Sequence, residues 1–300
     1  MTGIVDDFKN AFRKQNNGLV QIILINVVIF LVMITLFWIF KAADKREYFM
    51  SLEENLYLPG DIKKFLFHPW TLITYFFVHS LEGPFHILFN MLFLYWFGKL
   101  IDEYLGSRRL VNLYILGGIA GGISYLILAN LIPGFSNSRL LGASGAVYAV
   151  VVGAATLMPN YTFFLFLLGP VKIKYIAGFY VITSYISLAV NGENMGGNIA
   201  HLGGALMGFL FITQLNNGND LGRPISRFLE WVKGLFQSKP KMKVTYRSTT
   251  TVTTKATSPT YSGTPDDDEI DAILDKINRS GYESLTKEEK QKLFRASQKN

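Results

Sequence analysis

LVQIILINVVIFLVMITLFWIF, residues 19–40, is a run of 22 residues interrupted by Gln21 and Asn26 and carrying no charge. A helix needs about 20 apolar residues to cross the hydrocarbon of a bilayer, so this run is long enough to span. Lys9, Arg13 and Lys14 precede it and give the start the outline of a secretory signal. The run is too long for the apolar region of a signal and no small-residue cleavage site follows. It therefore reads as an uncleaved first transmembrane helix.

The rest of the chain keeps this character. Half of the 300 residues are hydrophobic, 14% are aromatic and 17% are charged, against roughly a quarter charged in soluble domains. Lipid is the expected solvent for most of the chain. The absence of cysteine excludes disulfides, thiolate metal sites and a cysteine nucleophile. A net charge of +7 could suggest nucleic acid, but the Lys and Arg lie beside the apolar runs and in the tail, as in a membrane protein. No nucleic-acid partner is expected.

A polar and aromatic segment, residues 41–84, follows the first span and is too long for a plain connection. It is expected to pack on or into the membrane surface. Five further spans follow, at about 85–101, 110–131, 144–157, 175–190 and 198–215. The run 161–168 can be read as an extension of the fifth helix or as an interfacial segment before Gly169 and Pro170. Six spans put both termini on one side. Basic residues mark that side: the N-terminal group, Lys99 with Arg108 and Arg109, Lys172 with Lys174, and Arg223 onward. The opposite loops after helices three and five carry Arg139 and Glu193. The asymmetry predicts cytoplasmic termini in a multi-pass protein of the bacterial inner, or plasma, membrane.

Beyond the core, residues 217–238 form an amphipathic interfacial helix, with Ile225, Phe228, Leu229, Val232, Leu235 and Phe236 on one face. Residues 239–265, rich in Thr, Ser and Lys, are expected to be a disordered linker. In residues 266–300, Ile270, Ile273, Leu274 and Ile277 make a helical stripe, and Thr286 with Glu289 has capping-box spacing. This stretch reads as a small cytoplasmic helical hairpin, a candidate dock for a cytoplasmic partner. The expected division is thus a core of residues 1–216, then 217–238, 239–265 and 266–300.

In lipid, polar side chains are expensive, so those inside spans are informative. His86 with Asn90, Ser144 with Tyr148, and His201 each lie in the first turn or two of an even-numbered helix. Those helices all enter from the same face, so the three groups lie at a similar depth. His86 and Asn90, and likewise Ser144 and Tyr148, are four apart and share a helix face. Ser144 stands in Gly142-Ala143-Ser144-Gly145, where little bulk blocks its hydroxyl. The fourth span, about 14 residues before Pro159, is too short to cross, so its start lies inside the bilayer. A helix N-terminus there offers free N–H groups and a positive dipole end, the donors that an acyl-transfer oxyanion requires. Gly204 and Gly208 allow the last span to approach another closely, bringing His201 to the serine. The acids between His86 and Asn219 are Asp102, Glu103 and Glu193. The first two lie at the wrong end of helix two and the third could help only from the rim, so the chemistry would rest on a Ser–His dyad.

These residues resemble the rhomboid family of intramembrane serine proteases, over about residues 15–216. The likeness rests on His86-Ile-Leu-Phe-Asn90, on Gly142-Ala143-Ser144-Gly145, and on Ala200-His201 with Gly204 and Gly208, in this order and on these helices. The resemblance implies an all-α six-helix bundle with a large first outer loop. It implies Ser144 as nucleophile and His201 as its general base. Asn90 and His86 would stand on the oxyanion side with the Ser144 N–H, Tyr148 beneath the histidine, and Gly142 in support. The implied activity is cleavage in or near transmembrane segments of membrane proteins, in the lipid bilayer, without metal or other cofactor. Water would reach the dyad through a hydrophilic cavity. Two features depart from the family: its Trp-Arg in the first loop is here Trp70-Thr71, and His79 stands further from His86 than the family's upstream histidine. The rival readings are a non-proteolytic, client-binding rhomboid-like protein, a zinc site from His79, His86 and His201, and a transporter.

Overall fold

The computed structural model describes residues 17–81, 83–165, 169–190, 194–236 and 267–297. The chain falls into two units, residues 1–239 and 240–300. The first is a mostly helical membrane protein. Its principal helices are α1 (Gly18–Ala42), α5 (Phe85–Leu105), α6 (Ser107–Leu131), α7 (Ser144–Leu157), α8 (Ile173–Val190) and α9 (Met195–Asn216). Among the described residues, α1, α6, α8 and α9 are long and apolar enough to cross a membrane. In α5 the polar His86, Asn90, Lys99 and Asp102 dilute the apolar run. With 14 residues, α7 rises only about 21 Å. The expected spans all fall within these helices.

The outer faces of α1 and α8 carry exposed apolar side chains, including Leu31, Val32, Phe179 and Ile182, as lipid-facing helices require. The polar interruption of α1 is satisfied internally. Asn26, fully buried, donates to the Ile22 carbonyl at 2.8 Å and to the Tyr114 hydroxyl at 3.1 Å, and Tyr114 donates to the Phe76 carbonyl.

The segment after α1 carries regular structure over much of its described length. It contains the short helices α2 (Arg46–Glu54), α3 (Ile62–Phe67) and α4 (Thr71–Thr74), a 3-10 turn at Tyr75–Phe77, and strand β1 (Leu58–Pro59). Strand β1 pairs antiparallel with β2 (Arg139–Leu140), Leu58 opposite Leu140 and Pro59 opposite Arg139. Trp70 donates to the Asn55 carbonyl at 2.9 Å. Thr71 is buried and donates to the His68 carbonyl at 2.6 Å. Here the residue after the tryptophan is held by the loop's own backbone.

Helix α7 is the centre of the bundle, with most of its residues buried. Small residues let the neighbouring helices approach it at backbone distance. A Cβ on Gly204 of α9 would strike the Gly145 carbonyl, and one on Gly208 would strike the Ala149 carbonyl. From α6, a Cβ on Gly117 would meet Ala149 of α7, and one on Gly121 would lie 2.8 Å from the Ala200 carbonyl of α9, so α6 packs closely on both helices.

Residues 161–165 do not extend a helix. Strands β3 (Thr162–Leu165) and β4 (Gly169–Lys172) form a hairpin in the register Thr162 to Lys172. Pro159 ends α7, aromatic and β-branched residues favour extended backbone, and Gly169 takes a positive φ of 70° that suits a turn.

Helix α10 (Arg223–Phe236) follows the bundle and exposes Phe228, Leu229, Trp231 and Leu235. The expected linker 239–265 lies outside the described residues. The second unit contains α11 (Asp267–Ser280) and α12 (Lys287–Ser297). Ile273 of α11 and Leu285 of the connecting turn are buried, and Lys276–Glu289 and Lys292–Glu269 pair across at 2.9 and 3.0 Å. The capping box is formed: the Thr286 N–H donates to Glu289 at 2.7 Å and the Glu289 N–H to the Thr286 hydroxyl at 3.3 Å. Hydrogen bonds from Lys276 and from the Thr286 backbone hold the Glu289 carboxyl below its usual range.

The helix contact gives a direct test. Gly208→Val drives two methyl groups into the α7 backbone and should destabilise the fold by about 3 kcal/mol or more, at the upper end of overpacking costs. Gly178→Ala in α8, where a Cβ meets nothing within 4 Å, should leave stability unchanged or raised. Thermal unfolding in detergent reads both, and equal midpoints for the two variants would contradict the close α7–α9 contact.

Candidate active site

Ser144 is the first residue of α7, where the N–H groups of the opening turn lack carbonyl partners within the helix. Its position is fixed by the chain before it. The β1–β2 pair holds Arg139–Leu140, the Gly60 N–H donates to the Ser138 carbonyl at 2.9 Å, and the Gly142 N–H donates to the Tyr75 carbonyl at 3.0 Å. Tyr75 is fully buried and donates to the Gly118 carbonyl of α6 at 2.6 Å. Gly142 has φ 117°, and a Cβ there would lie 3.0 Å from the His86 ring. Glycine is required on both counts.

His201, in the second turn of α9, brings its Nε2 to 2.8 Å from the Ser144 hydroxyl oxygen. The Tyr148 ring stacks on the imidazole with centroids 4.2 Å apart and planes 8° from parallel. The other imidazole nitrogen, Nδ1, lies 3.1 Å from the Ser184 hydroxyl of α8. Ser184 is in turn 2.8 Å from the Tyr148 hydroxyl, which donates to the Tyr180 carbonyl at 3.4 Å. One proton order satisfies the whole chain: Ser144 donates to Nε2, Nδ1–H donates to Ser184, Ser184 to Tyr148, and Tyr148 to a backbone carbonyl. Such a chain fixes the tautomer that leaves Nε2 free to accept.

His86 and Asn90, one turn apart on α5, line the same cavity as Ser144, Tyr148 and His201. Asn90 donates one amide hydrogen to the His86 carbonyl at 2.8 Å, and its amide group carries a second. The cavity is about 310 Å³. Its wall is mainly apolar, with Phe85, Phe89 and Phe93 from α5, Val147 and Val151 from α7, and Tyr180 from α8. That differs from the hydrophilic cavity expected from sequence: the polar atoms converge on Ser144 while the remaining wall is built like a pocket for an apolar group. A larger cavity of about 710 Å³, between Glu54–Pro59 and Ser136–Arg139, includes none of these residues.

His79 is buried with its ring 5.4 Å from that of His86, edge to face, and among the described residues neither of its ring nitrogens has a hydrogen-bond partner. Among the described residues no three His, Asp or Glu side chains gather as metal ligands. Asp102 lies at the far end of α5, where it accepts from the Ser107 hydroxyl. Glu193 lies outside the described residues. The group facing the second imidazole nitrogen is Ser184, which sequence reasoning did not single out. Its only signal was polarity inside a span, shared with Thr183 and Ser187, and small hydroxyls in helices commonly satisfy themselves on their own backbone.

Residues 67–217, half of the chain, match the Rhomboid domain. The chain belongs to the rhomboid family, a family of serine intramembrane proteases, and is a multi-pass integral membrane protein. Residues 264–299 match a second family, a family of unknown function (DUF6576). Among similar proteins of Arabidopsis thaliana, the mitochondrial RHOMBOID-like protein 12 is 32% identical over 160 residues, 49% of this chain and 47% of that protein. The chloroplastic Rhomboid-like protein 11 is 26% identical over 215 residues, 68% of this chain and 67% of that protein. RHOMBOID-like protein 1 is 33% identical over 145 residues, 47% of this chain and 33% of that protein. The chain spans about half the length of the first of these relatives.

The turn before Ser144 generates a prediction of its own. Gly142→Ala forces an L side chain to a positive φ against His86 and should cost roughly 1–3 kcal/mol. The measurement is the unfolding midpoint in detergent, and an unchanged midpoint would mean that the turn relaxes freely.

Proposed function

We propose that this protein is an intramembrane serine endopeptidase that hydrolyses peptide bonds in or near transmembrane segments of other membrane proteins. The observation that carries the reading is the 2.8 Å approach of His201 Nε2 to the Ser144 hydroxyl, in a cavity otherwise walled by aromatic and aliphatic side chains. The proposed core is a bundle of six spans, α1, α5, α6, α7, α8 and α9. The basic residues at the α5–α6 turn and after α9 favour a cytoplasmic location for both termini. The α10 helix then lies in the interface, and the α11–α12 hairpin is a cytoplasmic appendage suited to a partner.

The chemistry follows from the hydrogen bonds. Ser144 Oγ attacks the scissile carbonyl carbon as its proton passes to His201 Nε2, and the carbonyl π pair moves onto oxygen. The oxyanion is stabilised by the second amide hydrogen of Asn90, by His86 and by the Ser144 N–H at the positive end of α7. Collapse expels the amine, which takes the proton from His201 and leaves an acyl ester on Ser144. Water, deprotonated by His201, attacks that ester, and the serine departs with its proton restored. Ser184 and Tyr148 orient the imidazole throughout and stabilise its cationic form, the part that a carboxylate plays in the triad. An apolar residue of the substrate fills the Phe85–Phe89–Phe93 wall. No cofactor or metal enters these steps.

Ser144→Ala and His201→Ala should each abolish cleavage of a reconstituted transmembrane substrate, and Ser144→Ala should also abolish labelling by a fluorophosphonate. Cleavage at wild-type rate in either variant, with folding intact, would sink the dyad and favour a client-binding role. Loss of one oxyanion donor in Asn90→Ala should lower turnover roughly 10–1,000-fold, and an unchanged turnover number would remove Asn90 from that role. Ser184→Ala should lower turnover by roughly 3–10-fold, the worth of one hydrogen bond of about 1 kcal/mol. The expected signature is a fall in turnover number with little change in KM; a change confined to KM would assign Ser184 to binding instead.

A further inference from the structure

At the end of α5 opposite His86, the chain turns through Gly106 into α6 and meets α10. A cavity of about 380 Å³ lies there, lined by Leu105, Arg108, Arg109, Asp220, Arg223 and Arg227. We propose that this cavity binds the phosphate of an anionic phospholipid headgroup, docking the bundle to one leaflet.

Three observations support a built site. First, α10 is fastened to α6. The buried Ser226 hydroxyl accepts from Arg108 Nε and from Asn112 Nδ2, both at 2.7 Å, and Arg108 pairs with Glu230 at 3.2 Å. Gly222 permits this approach, since a Cβ there would strike the Asn112 amide. Second, the charges do not balance. Four guanidinium groups meet Asp220 and Glu230, leaving two positive charges over. Asp220 directs one carboxylate oxygen to the Gly222 N–H at 2.8 Å, and among the described residues Arg223 and Arg227 have no acidic partner within 4 Å. Being four apart, these two share one face of α10. The opening turns of both α6 and α10 add their positive dipole ends. Third, α10 shows where the cavity sits. Phe228, Trp231 and Leu235 are each about 60% exposed and run along the helix at positions three or four apart. Such a face beds into the boundary between headgroups and acyl chains, which puts the arginines at the level of lipid phosphates. Guanidinium forks match phosphate oxygens two at a time, and Leu105 offers apolar contact to the attached glycerol. A soluble phosphate would satisfy the arginines but not this apolar face, so the lipid is the occupant the surroundings favour.

The test is native mass spectrometry of the full chain in neutral detergent with phosphatidylglycerol or phosphatidylcholine added. The wild type should retain phosphatidylglycerol in preference. In Arg223→Gln/Arg227→Gln the affinity for it should fall by about 30-fold, taking each lost charge near a membrane surface at about fivefold. The equally neutralised Lys63→Gln/Lys64→Gln should keep the preference. Equal retention of both lipids by the wild type, an unaltered preference in the arginine variant, or equal loss in the lysine control would each overturn the site. Excess inorganic phosphate should not displace the lipid; displacement to completion would identify a soluble anion as the ligand and overturn the lipid assignment. If the double variant loses its helical circular dichroism, Arg227→Gln alone should show about a fivefold loss, and no loss there would overturn the proposal.

Discussion

The backbone contact between α7 and α9 sets the geometry of everything else in the bundle. Gly204 and Gly208 lie against the carbonyls of Gly145 and Ala149, and Gly145 in turn lies against the Ala200 carbonyl. With no Cβ between them, the two helix axes come close enough for an imidazole on one to reach a hydroxyl on the other. In lipid there is little hydrophobic gain from bringing apolar helices together, so close packing and hydrogen bonds across the interface carry the association. The pairing of Ser144 with His201 is therefore a consequence of the glycine contact as much as of the two side chains themselves.

A second constraint fixes the height of the serine. Helix α7 is too short to cross a bilayer, so the chain before it must descend among protein groups that satisfy its backbone. The long first loop provides them. Strand β1 pairs with β2, the Tyr75 carbonyl accepts from Gly142, and the Tyr75 hydroxyl ties that turn to α6. Polar groups deep in the bundle follow the same rule of mutual satisfaction. Asn26 meets Tyr114, which meets the Phe76 carbonyl, and His201 passes through Ser184 and Tyr148 to a carbonyl of α8. Each chain ends on a backbone acceptor and leaves no hydroxyl hydrogen unused. A neutral chain of this kind can orient an imidazole without placing a buried carboxylate, whose desolvation would be costly in such surroundings.

The two ends of the bundle differ in chemistry. One gathers neutral polar groups and aromatic rings around Ser144, while the other gathers arginines between α6 and α10. The second unit is separate in character: two short helices with Ile273 and Leu285 buried, two ion pairs between the helices and a capping box at the start of the second. Its match to a family other than the Rhomboid domain accords with that.

Lipid as the solvent, the helical segments and the residues that line the candidate site were all legible in the amino-acid order. These depend on local properties: the length of apolar runs, the rarity of polar residues inside them, and spacings of three and four that put side chains on one helix face. The capping box of Thr286 and Glu289 was legible for the same reason. It took the folded chain to show that Ser184 faces His201, that residues 58–59 pair with 139–140, that 162–165 pair with 169–172, and that the cavity wall is largely apolar. Each of these joins residues far apart in the chain or depends on how a helix is rotated about its axis. Nothing in the composition of α8 distinguishes Ser184 from Thr183 or Ser187. Rotation is set by packing against neighbours, and the neighbours here are chosen by glycines on other helices.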